Sequence, residues 1–236
     1  MSTPLIRVAG VTKHFGSAEQ ATQVLMGIDL EVRAGELTLL MGPSGSGKTT
    51  LVSILAGLLR PTSGDVDLCG ARISALDEAG VSRVRRQHVG FIFQTYNLFP
   101  ALSALENVAL GYRMRGEPVG QARAHARSAL ESVGLESRTG YLPSELSSGQ
   151  KQRVAIARAL AGDPAIVLGD EPTAALDGAS AMGVMDLLRA RVTPTTGVLV
   201  VTHDHRLERF AHRTIAIEDG VIRSDTIHPQ DRQEDA

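Results

Sequence analysis

Gly42-Pro43-Ser44-Gly45-Ser46-Gly47-Lys48-Thr49 fits the spacing G-x-x-x-x-G-K-[S/T] at every fixed position. Glycines in this pattern let the backbone curl until successive N–H groups converge on a phosphate. Lys48 reaches the outer phosphates of a nucleoside triphosphate, and the Thr49 hydroxyl can hold Mg²⁺. Further along, Asp170 and Glu171 follow the apolar run Ala165-Ile166-Val167-Leu168. A carboxylate ending a central strand beside the glycine loop suits Mg²⁺ held through water, and the next carboxylate suits a general base on an attacking water. Leu146-Ser147-Ser148-Gly149-Gln150 precedes a helical stretch, Lys151 to Leu160. Its small residues offer a hydroxyl and backbone N–H groups at a helix N-terminus, a second anion site or an ordinary cap.

These groups need elements to position them. Glu36 to Met41 is a short apolar run that reads as a buried strand ahead of the glycine loop. After it, Leu51, Ile54, Leu55 and Leu58 make the stripe of an amphipathic helix whose N-terminus points at the anion. Leu5 to Val11 and Ile28 to Val32 read as antiparallel strands, the second by its alternation. Val89 to Phe93 reads as another strand, and Ala165–Leu168 and Val198–Val201 as central parallel ones. From about Ser103 to Gly134 the pattern is helical, with Ala122, Ala126, Leu130 and Val133 on one face. Asp219-Gly220 between Thr214–Glu218 and Val221-Ile222 signals a hairpin. The sum is one α/β domain around a helical insert, with a polar tail at the end.

Composition narrows the classes. The 236 residues are 43% hydrophobic, ample for a core. A net charge of −2 argues against nonspecific nucleic-acid binding, and 3% aromatics with no Trp argue against a base-stacking surface. The single Cys69, in a strand-like Asp65–Cys69 stretch, suits a reducing compartment and an inert thiol. No secretory signal is visible at Met1-Ser2-Thr3-Pro4, and no apolar run approaches the about 20 residues of a membrane helix. Work at a membrane would need another chain.

The ordered set resembles the ATP-binding subunit of ABC transporters, from about Leu5 to Arg223. Phe15 resembles the aromatic that stacks on adenine. Gly42 to Thr49, with Thr50, resembles the Walker A loop, and Gln94 the Q-loop glutamine, which the resemblance also places at the metal with Thr49 and Asp170. Leu146 to Gln150 resembles the signature, with Ser148 in place of its usual first Gly. Ile166 to Asp170 resembles Walker B, with Gly169 where a larger apolar residue is common, followed by the catalytic Glu171. Ala174-Ala175-Leu176-Asp177 resembles the D-loop and His203 the switch histidine.

The resemblance implies a P-loop NTPase (RecA-like) α/β core, residues 1–94 and 160–225, with an N-terminal antiparallel β subdomain. A helical subdomain at 95–159 carries the signature, and 226–236 form the tail. It implies ATP and Mg²⁺ as ligands. It also implies a head-to-tail dimer in which Ser147, Gly149, Gln150 and Asp177 of one copy meet the nucleotide of the other. Glu171, His203 and Lys48 carry hydrolysis, and a membrane permease is driven from the inner, cytoplasmic face. Val89 to Pro100 with Leu105-Glu106-Asn107-Val108 is similar to the macrolide-exporter, lipoprotein-release and glycolipid-exporter group. Asp170 to Asp177 leans to the glycolipid type. Tyr96, Leu98 and Phe99 are the expected apolar anchors for the permease. A soluble ABC ATPase of DNA repair, chromosome organisation or translation fits less well, lacking a coiled-coil insertion or a second fused domain. A regulatory cell-division relative shares the same engine, and an importer is weakened by the lack of a C-terminal regulatory domain.

Overall fold

The computed structural model describes residues 4–16 and 21–229. Residues 1–3 and 230–236, the latter most of the expected tail, lie outside the described residues.

Two sheets form the molecule. In the first, β1 (Pro4–Phe15) and β2 (Thr22–Arg33) pair antiparallel, and β4 (Ser63–Leu68) and β5 (Ala71–Arg72) extend it in the order β2-β1-β4-β5. Both long strands outrun the stretches read from the sequence, Leu5 to Val11 and Ile28 to Val32. Register shifts between Val8 and Val11 and between Lys13 and His14 break the alternation, so the pattern fades before the strand does.

In the second sheet β3 (Leu37–Met41) lies beside β8 (Gly197–Thr202), followed by β7 (Ile166–Asp170) and β6 (Val89–Ile92), all parallel. On the other side of β3 lie β9 (Arg213–Glu218) and the antiparallel β10 (Val221–Ile227). Every residue of β3, β7 and β8 is buried, as near-continuous apolar runs require when both faces of a parallel sheet are covered. Asp219 and Gly220 both take positive φ (48° and 72°), the turn their hairpin needs. β10 reaches Ile227, so the folded part runs slightly past residue 225.

Helix α1 (Lys48–Leu55) buries Leu51, Ile54 and Leu55 between the two sheets. Leu58 falls beyond its end and is exposed, so the expected stripe stops at Leu55. Helix α2 (Glu78–His88) packs on the same core through Val81. The expected helical stretch from Ser103 divides into α3 (Ala104–Met114) and α4 (Val119–Ser132). Gly116 at φ 97° and Pro118, which has no N–H to donate, enforce the break. With α5 (Ser148–Ala159) these helices enclose a core of their own, including Leu105, Val108, Ala126, Leu130 and Val154. Helix α6 (Gly178–Arg189) covers the other face of the parallel sheet through Val184, Met185 and Leu188.

Candidate nucleotide site

The parallel strands β3, β7, β8 and β6 end on one side of the sheet, where the glycine loop, Gln94, Asp170, Glu171 and His203 follow them. The glycine loop joins β3 to α1. A Cβ at Gly42 would overlap the Ile217 carbonyl oxygen, so no other residue lets the loop leave β3 past β9. A Cβ at Gly47, at φ 98°, would meet Leu25 and the Val24 carbonyl at about 3.0 Å. The first-turn N–H groups of α1 have no intrahelical acceptor, and no side chain caps them. Helices α2, α3, α5 and α6 are all side-chain capped, by Asp77, Ser103, Ser147 and Asp177. The Ser46 hydroxyl is buried with no partner. An uncapped helix start beside an orphaned hydroxyl, in a loop too tight for Cβ atoms, fits a phosphate chain. Pro43, Ser44 and Gly45 form its exposed outer lip, and Thr50 is half-buried behind it.

Lys48 is only 6% exposed, and its Nζ donates to the carbonyls of Gly42 and Pro43, each at 2.7 Å. Burial lowers its pKa, against the opposing pull of Glu171 and Asp170. The Thr49 hydroxyl donates to Asp170 Oδ1 at 3.2 Å. Asp170, 8% exposed, has its pKa raised by burial first; the Thr49 hydrogen bond opposes this and the charge of Glu171 adds to it. A hydroxyl and a carboxylate that share a proton at the mouth of the loop fit Mg²⁺, whose few protein ligands are hard oxygens. Gln94 lies just past β6 and is exposed at the same edge of the sheet.

Glu171 follows β7 in the left-handed region (φ 47°), and its N–H donates to Val201 O at 3.1 Å. This strained turn swings the side chain toward the end of β8, where Glu171 Oε1 lies 3.2 Å from His203 Nδ1. His203 is 66% exposed and Glu171 much less so. Both line an open cleft of about 500 Å³ with Thr173, Leu176 and Ala181. Gly169 has a local reason: a Cβ there would lie 3.1 Å from the Pro172 ring, which folds back over it.

Ser147 caps α5. Its hydroxyl accepts from Gln150 N–H at 3.3 Å, while Gln150 Oε1 accepts from Ser147 N–H at 3.0 Å. The helix therefore starts at Ser148, earlier than the sequence suggested. Ser148 is exposed, so replacing Gly there costs the single chain no contact. Gly149 lets α5 approach α6: a Cβ would lie 3.3 Å from Ser180 Oγ. Asp177 caps α6 through both oxygens, accepting from Ser180 N–H at 2.9 Å and Ser180 Oγ at 2.8 Å, and its pKa is lowered by these bonds. Ser147 and Asp177 thus sit at neighbouring helix starts, facing solvent. Phe15 ends β1, exposed, with Lys13 Nζ 5.0 Å from its ring centroid. The single chain does not bring Phe15 or Ser147 into the contacts with Glu171 and Lys48 described above.

Of the expected anchors, Phe99 is 51% exposed, whereas Leu98 packs into the helical subdomain and Tyr96 is half-buried. Phe99 borders an apolar groove of about 410 Å³ with Leu58, Phe91, Phe93, Leu110 and Met114. Asn107 and Arg158 shape this segment from within, a role that their residue types did not signal. Asn107 is fully buried; it accepts from Phe99 N–H at 2.8 Å and donates to the carbonyls of Phe99, Leu102 and Ser103. Arg158 donates to Asn97 O at 2.5 Å and Tyr96 O at 2.8 Å, fastening two residues held at positive φ.

The family model described as ABC transporter matches residues 25–174. The macrolide export ATP-binding/permease protein MacB 1/2 of Paracoccus denitrificans is 45% identical over 94% of the chain. The pyoverdine export ATP-binding/permease protein PvdT of Pseudomonas syringae is 44% identical over 96%. The chain spans about a third of the length of these relatives. Among solved structures, a dimeric post-hydrolysis state of the ATP-binding cassette MJ0796 bound to ADP and Pi superimposes with a TM-score of 0.89 at 37% identity, over 95% of this chain and 99% of that one.

Proposed function

The chain belongs to the ABC transporter family, and on that premise we propose that it hydrolyses ATP as one half of a head-to-tail dimer and thereby drives a membrane permease. The observation that carries this reading is the division of the site. Lys48, Thr49, Asp170, Glu171 and His203 converge at one edge of the sheet, while Ser147 and Asp177 stand at helix starts facing solvent. In this reading one copy provides the phosphate cradle and the base, and the group over the outermost phosphate comes from a second copy.

A second copy turned end for end supplies it. Its Ser147 and the N–H groups of its α5 face the γ-phosphate, with Gly149 and Gln150 completing that helix start. Lys48 leaves its loop carbonyls for the phosphate oxygens, and the uncapped first-turn N–H groups of α1 take the rest. Thr49, Asp170 and Gln94 would hold Mg²⁺, which screens phosphate charge when bound. Glu171 accepts the proton of the attacking water, and His203, already beside Glu171, turns to the γ-phosphate. Phe15 offers its open ring face to adenine. Loss of the bridging phosphate opens the dimer.

The apolar groove bordered by Phe99 is the surface we assign to the permease, since it lies on the segment that leads out of Gln94. Relatives named for macrolide and pyoverdine export support an exporter, with a lipid, lipoprotein, peptide or drug-like cargo chosen by the permease. No helix among the described residues is long and apolar enough to cross a membrane; the permease partner places the chain peripherally on the inner face of the cell membrane in this reading. A regulatory role, signalling through the same closure without cargo, is the alternative.

The decisive experiment is light scattering of Glu171→Gln with ATP. We expect a stable dimer that forms with ATP and not with ADP, and turnover reduced by about 10²–10⁴-fold. Full-rate hydrolysis by wild-type chain that stays monomeric at every concentration would overturn the composite site.

A further inference from the structure

Phe15 is an exposed ring with a tethered cation against it. It ends β1 at 44% exposure, and Lys13 Nζ lies 5.0 Å from its centroid. The same Nζ donates to Arg60 O at 2.8 Å, so the half-buried ammonium is held by the main chain. Among the described residues no carboxylate pairs with Lys13, and its charge is left to the ring. Two other rings have a guanidinium over them: Tyr141, half-buried, and Phe210, buried. Those contacts belong to the packing of the chain. At Phe15 the cation backs a ring that solvent still reaches.

The surroundings hold the pair in place. The turn that supplies Arg60 O is laced to β1. Thr62 N–H donates to Thr12 O at 2.9 Å, and His14 N–H donates to Thr62 Oγ1 at 3.0 Å. The Thr12 and Ser63 hydroxyls lie 2.7 Å apart. On the other side Phe15 pairs with Thr22, His14 with Gln23 and Lys13 with Leu25, which makes Val24 an extra residue in β2. This bulge leans on the glycine loop, since a Cβ at Gly47 would stand 3.0 Å from Val24 O. Lys48 opens α1, and Arg60 follows its close. The end of β1 is therefore moored at both ends of that helix, to the phosphate cradle through Val24 and to the far turn through Lys13.

We propose that Lys13 is the positioning residue of the base site, holding the Phe15 ring in the orientation that stacks on a nucleobase and polarising it from behind. The proposal rests on the reading of Phe15 as the ring that meets adenine, and adds what prepares that ring. A ring already held in one rotamer gives up little freedom when a base arrives. An ammonium draws π density towards its own face, so the opposite face repels a second π system less. Lys13 acts through Phe15 and touches neither base nor phosphate.

The test is a double-variant cycle on the whole chain, read by titration calorimetry with Mg²⁺ and ADP. Lys13→Met keeps most of the stem and deletes the charge and the donor. We expect it to weaken ADP about threefold to tenfold with an unchanged melting curve, and to leave the affinity for inorganic pyrophosphate, which has no base, where it was. Lys13→Arg restores a cation and a donor and should regain most of the loss. In a Phe15→Ala background Lys13→Met should cost nothing further, because no ring remains to be placed. A loss that persists without the ring, or that falls equally on pyrophosphate, makes Lys13 a strut of the fold and overturns the proposal. ADP weakened by Phe15→Ala and unmoved by Lys13→Met also overturns it, with the base-site reading left standing. If neither variant changes the affinity for ADP, Phe15 does not meet the base, and reading and proposal fall together.

Discussion

His203 Nδ1 and Glu171 Oε1 stand 3.2 Å apart although 32 positions separate them in the chain. The contact exists because β7 and β8 are parallel neighbours, with Asp170 opposite Val201, so the residues just past each strand meet. The imidazole thereby aims the carboxylate before any nucleotide arrives. Replacing His203 with Ala should lower kcat for ATP by about 10²-fold or more while KM moves much less. Steady-state kinetics decide it; a rise in KM at constant kcat would reassign His203 to binding alone.

Ser148 begins α5 and faces solvent. Its extra side chain can matter only where another copy approaches. Ser148→Gly should leave the melting temperature almost unchanged and tighten ATP-dependent dimerisation of the Glu171→Gln background by no more than about tenfold. Sedimentation equilibrium reads this directly, and weaker dimerisation would mean that the hydroxyl makes a favourable contact across the interface.

Arg158 ties the far end of α5 to the segment after Gln94. Its two bonds hold Tyr96 (φ 62°) and Asn97 (φ 46°) in a conformation that side chains disfavour. Arg158→Met keeps most of the aliphatic stem and deletes both donors. It should cost about 1–3 kcal/mol of stability and raise hydrogen exchange at residues 95–98 before any other part of the helical subdomain. Unchanged protection at 95–98 would show that the segment holds itself.

His212 accepts from Leu37 N–H through Nδ1 at 2.9 Å. Its pKa is lowered, by burial first and by Arg189 next, against the pull of Glu36. The unfolded chain takes up this proton near the ordinary histidine pKa of about 6.5, whereas the fold resists it. The His212 contribution is therefore intact above about pH 6.5 and is lost as pH falls below it. Melting temperatures at pH 7.5 and 5.5 should diverge more for wild type than for His212→Asn; equal slopes would remove His212 from the acid response.

Much of this was readable from residue order alone, for physical reasons. Leu37–Met41, Ile166–Asp170 and Gly197–Thr202 are largely apolar because helices and the first sheet cover both faces, so their runs stand out. The glycine loop is legible because its backbone tolerates so few side chains. Helix α2 was not legible: it buries only Val81, so its charged periphery carries no stripe. The roles of Asn107 and Arg158 were hidden because both bond to main-chain carbonyls, which leave no signature in residue type. Leu98 and Phe99 look alike as an apolar pair, and only the packing of α3, α4 and α5 sends one inward and the other out.

The grip of Lys48 on the Gly42 and Pro43 carbonyls has a kinetic corollary. The ammonium braces the loop through its own carbonyls, so under the proposed function capture of nucleotide is a swap of partners at a loop already shaped. Association should then run at encounter-limited speed with a single phase, and the slow event of the cycle must lie later, where two copies find each other.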